Sequence, residues 1–86
     1  STFIEYFTYD EKSFGQWYPN PSRGNLIWTG QELPNEVKIF TPDGRLLREC
    51  YGCKSLNFRD NQYRGIIIIH SKKDERVKTQ RIVLIN

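Results

Sequence analysis

The chain has 86 residues and a mass of 10.2 kDa, with 37% hydrophobic and 27% charged residues. This length suits one small domain and excludes a TIM barrel or a complete dinucleotide-binding fold, while the apolar share suffices for a single core and argues against disorder. The net charge is +3, but residues 1–43 carry three basic and six acidic side chains, whereas residues 44–86 carry ten and four. The basic half can attract a polyanion, although a solvated face is the simpler interpretation.

The first part of the chain alternates like short β-strands, and helical periodicity is nearly absent. Residues 2–9 are rich in aromatic and β-branched side chains and predict a strand, so that residues 1–15 are either the first strand of the domain or the tail of an upstream linker. Residues 14–18 predict a second strand. It ends in residues 19–24, where two prolines fix φ and Gly24 can adopt a positive φ, so a rigid chain reversal is expected.

The middle of the chain predicts a hairpin between two shorter strands. Residues 26–29 form a short strand, and residues 36–41 alternate before a turn with Asp43 and Gly44 at its tip. Residues 45–51 return as the partner strand. Residues 54–58 predict a further short strand, with Leu56 and Phe58 facing the same way.

The last part contains the strongest strand pattern, at residues 65–72. Its four isoleucines point alternately to the two faces, so this strand is expected to be buried on both faces or to pack against a partner. Residues 77–85 predict the final strand, which is again apolar on both faces at its end. The chain thus predicts an all-β domain of about seven strands, a small antiparallel sandwich or barrel. No apolar run exceeds four residues, so no transmembrane segment is predicted.

The residues that could support chemistry are few. His70 is the only histidine, and no local motif supplies it with a nucleophile and an orienting acid, so the chain is predicted not to be an enzyme. Cys50 and Cys53 form a C-x-x-C pair, but zinc needs more ligands than the chain supplies. No helix pattern follows the pair, which argues against a thioredoxin-like role. A disulfide across a turn and two free thiols both stay open, and no metal or cofactor is expected.

Four motifs occur in a telling order. They are Tyr-Pro-Asn-Pro-x-x-Gly at residues 18–24, Val-Lys-Ile-Phe-x-x-x-Gly-Arg at residues 37–45, Gly-x-x-Ile-Ile at residues 65–69, and a basic strand at residues 78–84. This series resembles the C-terminal sorting domain of the type IX secretion system over residues 16–86. Ile67 stands where that family usually carries tyrosine, and the cysteine pair is not part of its pattern. A chain without methionine also fits a piece of a longer protein.

The resemblance implies a small Ig-like β-sandwich that directs its parent protein across the outer membrane. Its partners would be the outer-membrane translocon, the shuttle and the sortase or attachment proteins of that system. The sortase usually removes the domain and attaches the parent to anionic lipopolysaccharide. In the alternative form, the domain is retained on a component of the machinery and docks it to partners or to that lipopolysaccharide. Its location would be the periplasm in transit, then the outer membrane or cell surface of a Gram-negative bacterium.

The signal is expected to be a folded surface. The final strand is expected at a sheet edge, where unpaired main-chain groups would accept a partner strand, although the same strands can equally be plain core. The residues proposed for the surface are Pro19, Asn20, Pro21, Gly24, Gly44, Gly65, Ile67, Arg81, Ile82, Val83 and Leu84.

Two other binding functions compete with the sorting domain. One is an Ig-like adhesion module. The other is a small basic barrel that stacks nucleic-acid bases on Trp17, Trp28, Phe58 and Tyr63, for which no known RNA-binding signature is present. Nucleic acid is therefore an unfavoured partner.

Overall fold

The protein folds as a small antiparallel β-sandwich. The structure, a computed structural model, describes residues 15–58 and 64–85. Within these ranges there is no helix, and seven strands form a three-stranded and a four-stranded sheet. The strands are β1 (Trp17–Tyr18), β2 (Asn25–Trp28), β3 (Glu36–Phe40), β4 (Leu46–Tyr51), β5 (Ser55–Asn57), β6 (Gly65–Lys73) and β7 (Arg76–Leu84). The separation into two sheets selects the sandwich over the barrel.

The larger sheet has the strand order β4-β3-β6-β7, and the smaller one has the order β1-β2-β5. The β3–β4 hairpin turns at the Pro-Asp-Gly segment as predicted, because Gly44 there has a φ of +97° that other residues avoid. The β6–β7 hairpin turns at Asp74, also with a positive φ of 57°, which aspartate tolerates better than most residues. The strand order of the larger sheet makes β4 and β7 its two edge strands.

Alternation along the strands builds the core between the sheets. One face of each sheet supplies apolar side chains, and the most deeply buried are Trp17, Leu26, Val37, Ile39, Phe58, Ile67, Ile69 and Ile82. Leu56 and Phe58 do face the same way, into this core. Burying such side chains is the main favourable contribution to folding, roughly 1.5–3 kcal/mol for each large one.

The core also contains polar links between the two sheets. Trp17 of β1 donates its indole N–H to Ser71 Oγ of β6 at 2.8 Å, and its ring meets Trp28 edge to face at 5.3 Å. At the border of the core, the Arg48 guanidinium lies 4.6 Å from the Phe58 ring centroid and donates to the Asn57 carbonyl. These contacts fix how the two sheets face each other, because a hydrogen bond is directional where apolar packing is not.

One expectation about the strands cannot be compared with the structure, and one about the burial of β6 needs correction. The predicted strand at residues 2–9 lies outside the described residues. The isoleucine-rich strand β6 is not buried on both faces, since Ile67 and Ile69 are in the core but Ile66 is 37% exposed. The reason is that β6 belongs to one layer of a two-layer sandwich, and in the described ranges its second face is not covered by another layer. The remaining strands begin and end within three residues of the predicted positions.

Candidate recognition surface

Residues 19–22 run alongside the outer edge of β7, and Asn20 attaches them to it. The Asn20 Nδ2 donates to the Arg81 carbonyl at 2.9 Å, and the Val83 N–H donates to Asn20 Oδ1 at 3.0 Å. A side-chain amide carries the same donor and acceptor as a peptide group. Asn20 therefore replaces one residue of a neighbouring strand. The peptide bonds before Pro19 and Pro21 are both cis.

Ser22 continues this pairing with its main chain. Its N–H donates to the Val83 carbonyl at 2.8 Å, and its carbonyl accepts from the Ile85 N–H at 2.8 Å, so that Ser22 and Leu84 form a parallel bridge. Its hydroxyl is buried, donates to the Asn25 carbonyl and accepts from the Gly24 N–H. Every polar group of Ser22 thus takes part in anchoring the segment between β7 and β2.

These bonds overturn one sequence-based expectation. The strand β7 does lie at the edge of its sheet, but between Arg81 and Ile85 its outward main-chain groups bond to Asn20 and Ser22. An incoming partner strand would find them occupied, so the prediction of unpaired groups here is wrong. The physical reason is that an asparagine side chain imitates a strand, which no periodicity in the sequence reveals.

A second amide works in the same way inside the sandwich. Gln80 of β7 accepts from the Trp17 N–H at 2.7 Å and donates to the Trp17 carbonyl at 3.3 Å. The short strand β1 is thereby tied to the opposite sheet as well as to β2. Pro19 and Asn20 therefore follow directly after a strand whose position is fixed by hydrogen bonds to both sheets.

The proposed site residues divide into surface and core. Pro19, Asn20, Pro21, Arg81 and Val83 are exposed and lie together along the β7 edge. The side chains of Ile67, Ile82 and Leu84 are buried in the core, so in the folded state they cannot touch a partner.

The three glycines of the set have conformational roles. Gly24 is buried and has a φ of +122°. A methyl group built on Gly44 or Gly65 meets no atom within 4 Å, yet both have a positive φ, at +97° and +114°. Their requirement for glycine is therefore set by the backbone conformation and not by lack of space. Gly44 lies on the β3–β4 hairpin, and Gly65 pairs with Leu84.

Of the two alternatives for the cysteine pair, a disulfide and two free thiols, the structure has the disulfide. Cys50 and Cys53 are joined by a disulfide at the end of β4, and Cys50 packs against the core. The bridge closes the turn that leads from β4 to β5. Among residues 15–58 and 64–85, there is no group of three or more histidine, cysteine or acidic side chains that could hold a metal ion.

Burial removes the basis of the nucleic-acid alternative. Trp17, Trp28 and Phe58 are core residues, and both indole N–H groups donate inside the domain, to Ser71 and to the Glu32 carbonyl. Bases stack on exposed rings, so these three cannot form a stacking platform. Tyr63 lies outside the described residues.

The outer face of the larger sheet carries features that the sequence analysis did not assign. Phe40 and Ile68 are cross-strand neighbours on it, and the rings of Phe40 and His70 lie 5.1 Å apart. His70 separates two shallow depressions of about 290 and 240 Å³. The first is lined by Phe40, Thr41, Pro42, Gly44, Ile68 and His70, and the second by Glu36, Lys38, His70, Lys72 and Val77. Alternation in residues 65–72 could have indicated this face, because it leaves two isoleucines on the side away from the core.

Two titratable groups at the borders of this face are perturbed. A hydrogen bond from the Thr41 hydroxyl lowers the pKa of the Asp43 carboxyl below its ordinary value. The Tyr51 hydroxyl donates to the Glu49 carboxylate at 3.2 Å, which raises the pKa of Tyr51. For Asp43, the hydrogen bond favours the charged carboxylate, and for Tyr51 it favours the protonated hydroxyl.

Comparison with known proteins gives no family assignment. No family model matches the chain, and none of the curated proteins matches it. The described part of the chain also has no helix with the length and hydropathy needed to cross a membrane.

Proposed function

We propose that this domain is a folded C-terminal sorting signal of the type IX secretion kind, which directs its parent protein across the outer membrane. The proposed partners are the translocon, the shuttle and the sortase or attachment proteins of that system. The domain passes through the periplasm and reaches the outer membrane or the cell surface. After export, a sortase removes the domain from most such parents and attaches them to anionic lipopolysaccharide.

The observation that carries the proposal is the assembly of the sequence motifs in space. The Tyr-Pro-Asn-Pro motif and the basic final strand are about 60 residues apart in sequence, yet Asn20 bonds directly to Arg81 and Val83. The third motif lies in β6 and pairs with the same strand, and the second pairs with β6 through Phe40. A linear peptide signal has no need of this arrangement, whereas a signal that is read as a folded surface requires it.

The exposed side chains along that edge supply the recognition chemistry. Arg81 projects from β7 beside Val83, and in the described part of the chain it forms no ion pair. A guanidinium can bind a carboxylate through two parallel hydrogen bonds, which gives both orientation and specificity. Asn20 holds the main chain at this position. In this proposal Arg81 is the contact residue and Asn20 is a positioning residue.

One observation favours the form in which the domain is retained. The two strands Gly65–Lys73 and Arg76–Leu84 carry five basic side chains and no aspartate or glutamate, and the acids of the hairpin, Asp74 and Glu75, lie in the turn between them. A hairpin of this kind suits lasting contact with a polyanion such as anionic lipopolysaccharide. The cleaved and retained forms differ in their products, so one experiment separates them.

The test fuses all 86 residues to the C-terminus of a fluorescent passenger with an inner-membrane signal peptide. The fusion is expressed in a strain with a working type IX system, and the passenger is located and sized. A surface passenger without the domain indicates cleaved cargo, and an outer-membrane passenger that keeps the domain indicates the retained form. Arg81→Glu is expected to leave the passenger in the periplasm with an unchanged melting temperature.

Lys54→Glu is the matched control, because Lys54 is an exposed cation near the smaller sheet, and its carbonyl pairs with Trp28 of β2. It should be exported like the parent domain. The proposal would be wrong if the fusion with the unsubstituted domain stayed soluble in the periplasm while the domain was folded. Equal export of the Arg81→Glu and parent domains would remove Arg81 from the recognised surface.

A further inference from the structure

We propose that the outer face of β6 and β7 binds a short acidic peptide segment that contributes apolar side chains between its carboxylates. This surface, called here the β6–β7 face, consists of Ile66, Ile68, His70, Lys72, Val77, Thr79, Arg81 and Val83. The inference goes beyond export and holds for the isolated domain, whatever the domain does to its parent protein.

The apolar part of the surface is continuous. The strand register places Ile66 beside Val83 and Ile68 beside Phe40, so these side chains adjoin across three strands. Ile66 and Val83 are each 37% exposed, while Val77, which is 53% exposed, lies apart from them beside Lys72. An isolated exposed aliphatic residue is ordinary on a protein surface, but a contiguous group of them marks an interaction site.

A depression beside Ile68 makes this apolar surface concave. It has a volume of about 290 Å³, and its walls are the Phe40 ring, Pro42 and the β3–β4 hairpin. That space accepts one leucine or phenylalanine side chain from a partner. A flat protein surface would leave it unfilled, whereas a peptide with a projecting side chain would occupy it.

The charges on the surface select the sign of the partner. The strands β6 and β7 contain no acidic residue, and in the described ranges neither Lys72 nor Arg81 forms an ion pair. On the outer face of β3 and β4, Glu36 pairs with Lys38 at 3.6 Å and Glu49 accepts from Tyr51. Asp74 and Glu75 lie in the β6–β7 turn, at the end of the hairpin away from Arg81 and Ile68. Carboxylates placed beside an apolar side chain therefore complement the face.

The same charges argue against a second copy of this chain as the occupant. Two copies that met through this face would each bring Lys72 and Arg81 without an acid on β6 or β7 to oppose them. Burying like charges together costs free energy that a modest apolar patch does not recover. A peptide of opposite charge meets no such cost.

The test uses the full 86-residue chain labelled with nitrogen-15. It is titrated with a six-residue peptide of alternating leucine and glutamate, and separately with a twin in which lysine replaces glutamate. The glutamate peptide is expected to shift the amide resonances of Ile66, Ile68, Arg81 and Val83, and the lysine twin is expected to leave them in place. Lys72→Glu and Arg81→Glu should each weaken binding about tenfold or more, because each change replaces a cation that pairs with a carboxylate of the peptide by an anion that repels it.

Matched variants separate this face from the rest of the surface. Ile66→Asp should weaken binding, whereas Ile27→Asp should not, because Ile27 is also exposed, at 52%, but lies on the outer face of the smaller sheet. Lys54→Glu serves as the control for charge. All five variants change exposed side chains, and each is checked for an unchanged melting temperature.

Three results would overturn the inference. Equal binding of the lysine twin would show that charge does not select the partner. Shifts centred on Ile27 would place the site on the other sheet. Shifts of the β6–β7 face that grow with protein concentration alone would identify a second copy as the occupant. Because the titration uses the isolated chain, its failure leaves the export proposal standing, and a failed export test leaves this one standing.

Discussion

Trp17 and Ser71 are joined across the core by a hydrogen bond of 2.8 Å, and each residue is only 1% exposed. If Ser71 is removed, the buried indole N–H of Trp17 cannot replace its acceptor with bulk water. A buried donor without a partner costs about 1–3 kcal/mol, whereas loss of both partners costs less than the two separate losses together. This pair therefore supports a test in which the two side chains are changed singly and jointly.

Ser71→Ala is expected to lower the free energy of unfolding by about 1–3 kcal/mol. In the double variant with Trp17→Phe, the total loss should be smaller than the sum of the single losses by roughly 1 kcal/mol. Urea unfolding measures all four chains. Ser55→Ala, at an exposed serine of β5, should change little. Strict additivity of the two changes would show that the bond contributes nothing.

Asn20→Ala removes both side-chain bonds to β7 while leaving an exposed position exposed. With two bonds lost, the free energy of unfolding should fall by about 1–2 kcal/mol, and the Val83 amide should exchange its hydrogen faster because Asn20 Oδ1 is its acceptor. Hydrogen exchange followed by NMR measures this amide directly. Asn25→Ala is the control, since Asn25 is an exposed asparagine of β2. An unchanged Val83 exchange rate would contradict the edge-covering role.

The Asp43 carboxyl has a lowered pKa, because the Thr41 hydroxyl donates to it in the folded state. A depressed pKa stabilises the folded chain above the ordinary value of 3.8, and this contribution is lost as the pH falls through the folded pKa. As the pH falls below about 4, the urea midpoint of the parent should therefore decrease more steeply than that of Asp43→Asn. Asp74→Asn, at the other hairpin, controls for loss of an acid. Parallel curves for Asp43→Asn and the parent would refute the assignment.

Gly65→Ala should cost roughly 1 kcal/mol or more although there is room for the methyl group, because its φ of +114° lies outside the range of alanine. At Gly52, whose φ is +66°, asparagine should be tolerated at a smaller cost, since it adopts the left-handed region more readily. Thermal unfolding of the two variants measures the difference. If Gly65→Ala unfolds at the parent's temperature, the positive φ is not the constraint.

Most of the fold follows from local patterns, and the reasons are visible at single residues. Alternation identifies β3 because Val37 and Ile39 face the core while Lys38 does not, and the turn chemistry of Asp43 and Gly44 identifies the hairpin. The two-sided apolar pattern of β6 was ambiguous, since Ile66 and Ile68 look the same in sequence as the buried Ile67. Only the number of layers in the fold decides which of them meets solvent.

The candidate site was less accessible to sequence reasoning. A list of motif residues mixes those that contact solvent, such as Arg81, with those that build the core, such as Ile82. The role of Asn20 depends on a strand about 60 residues away, and no local pattern encodes that contact. The nucleic-acid alternative treated Trp17 and Trp28 as surface residues, whereas both are buried in the core. An aromatic residue that is close to basic residues in sequence can equally belong to the core.

The contact between Asn20 and Val83 spans 63 positions of the chain. It therefore forms only after the strands between them have been brought together, whereas the β6–β7 hairpin can pair locally and earlier. In the interval, the hairpin presents an uncovered edge next to the apolar stretch at residues 82–85. Two chains that meet during this interval can join edge to edge. The yield of refolding should therefore depend on how crowded the folding chains are, even where the finished domain is stable.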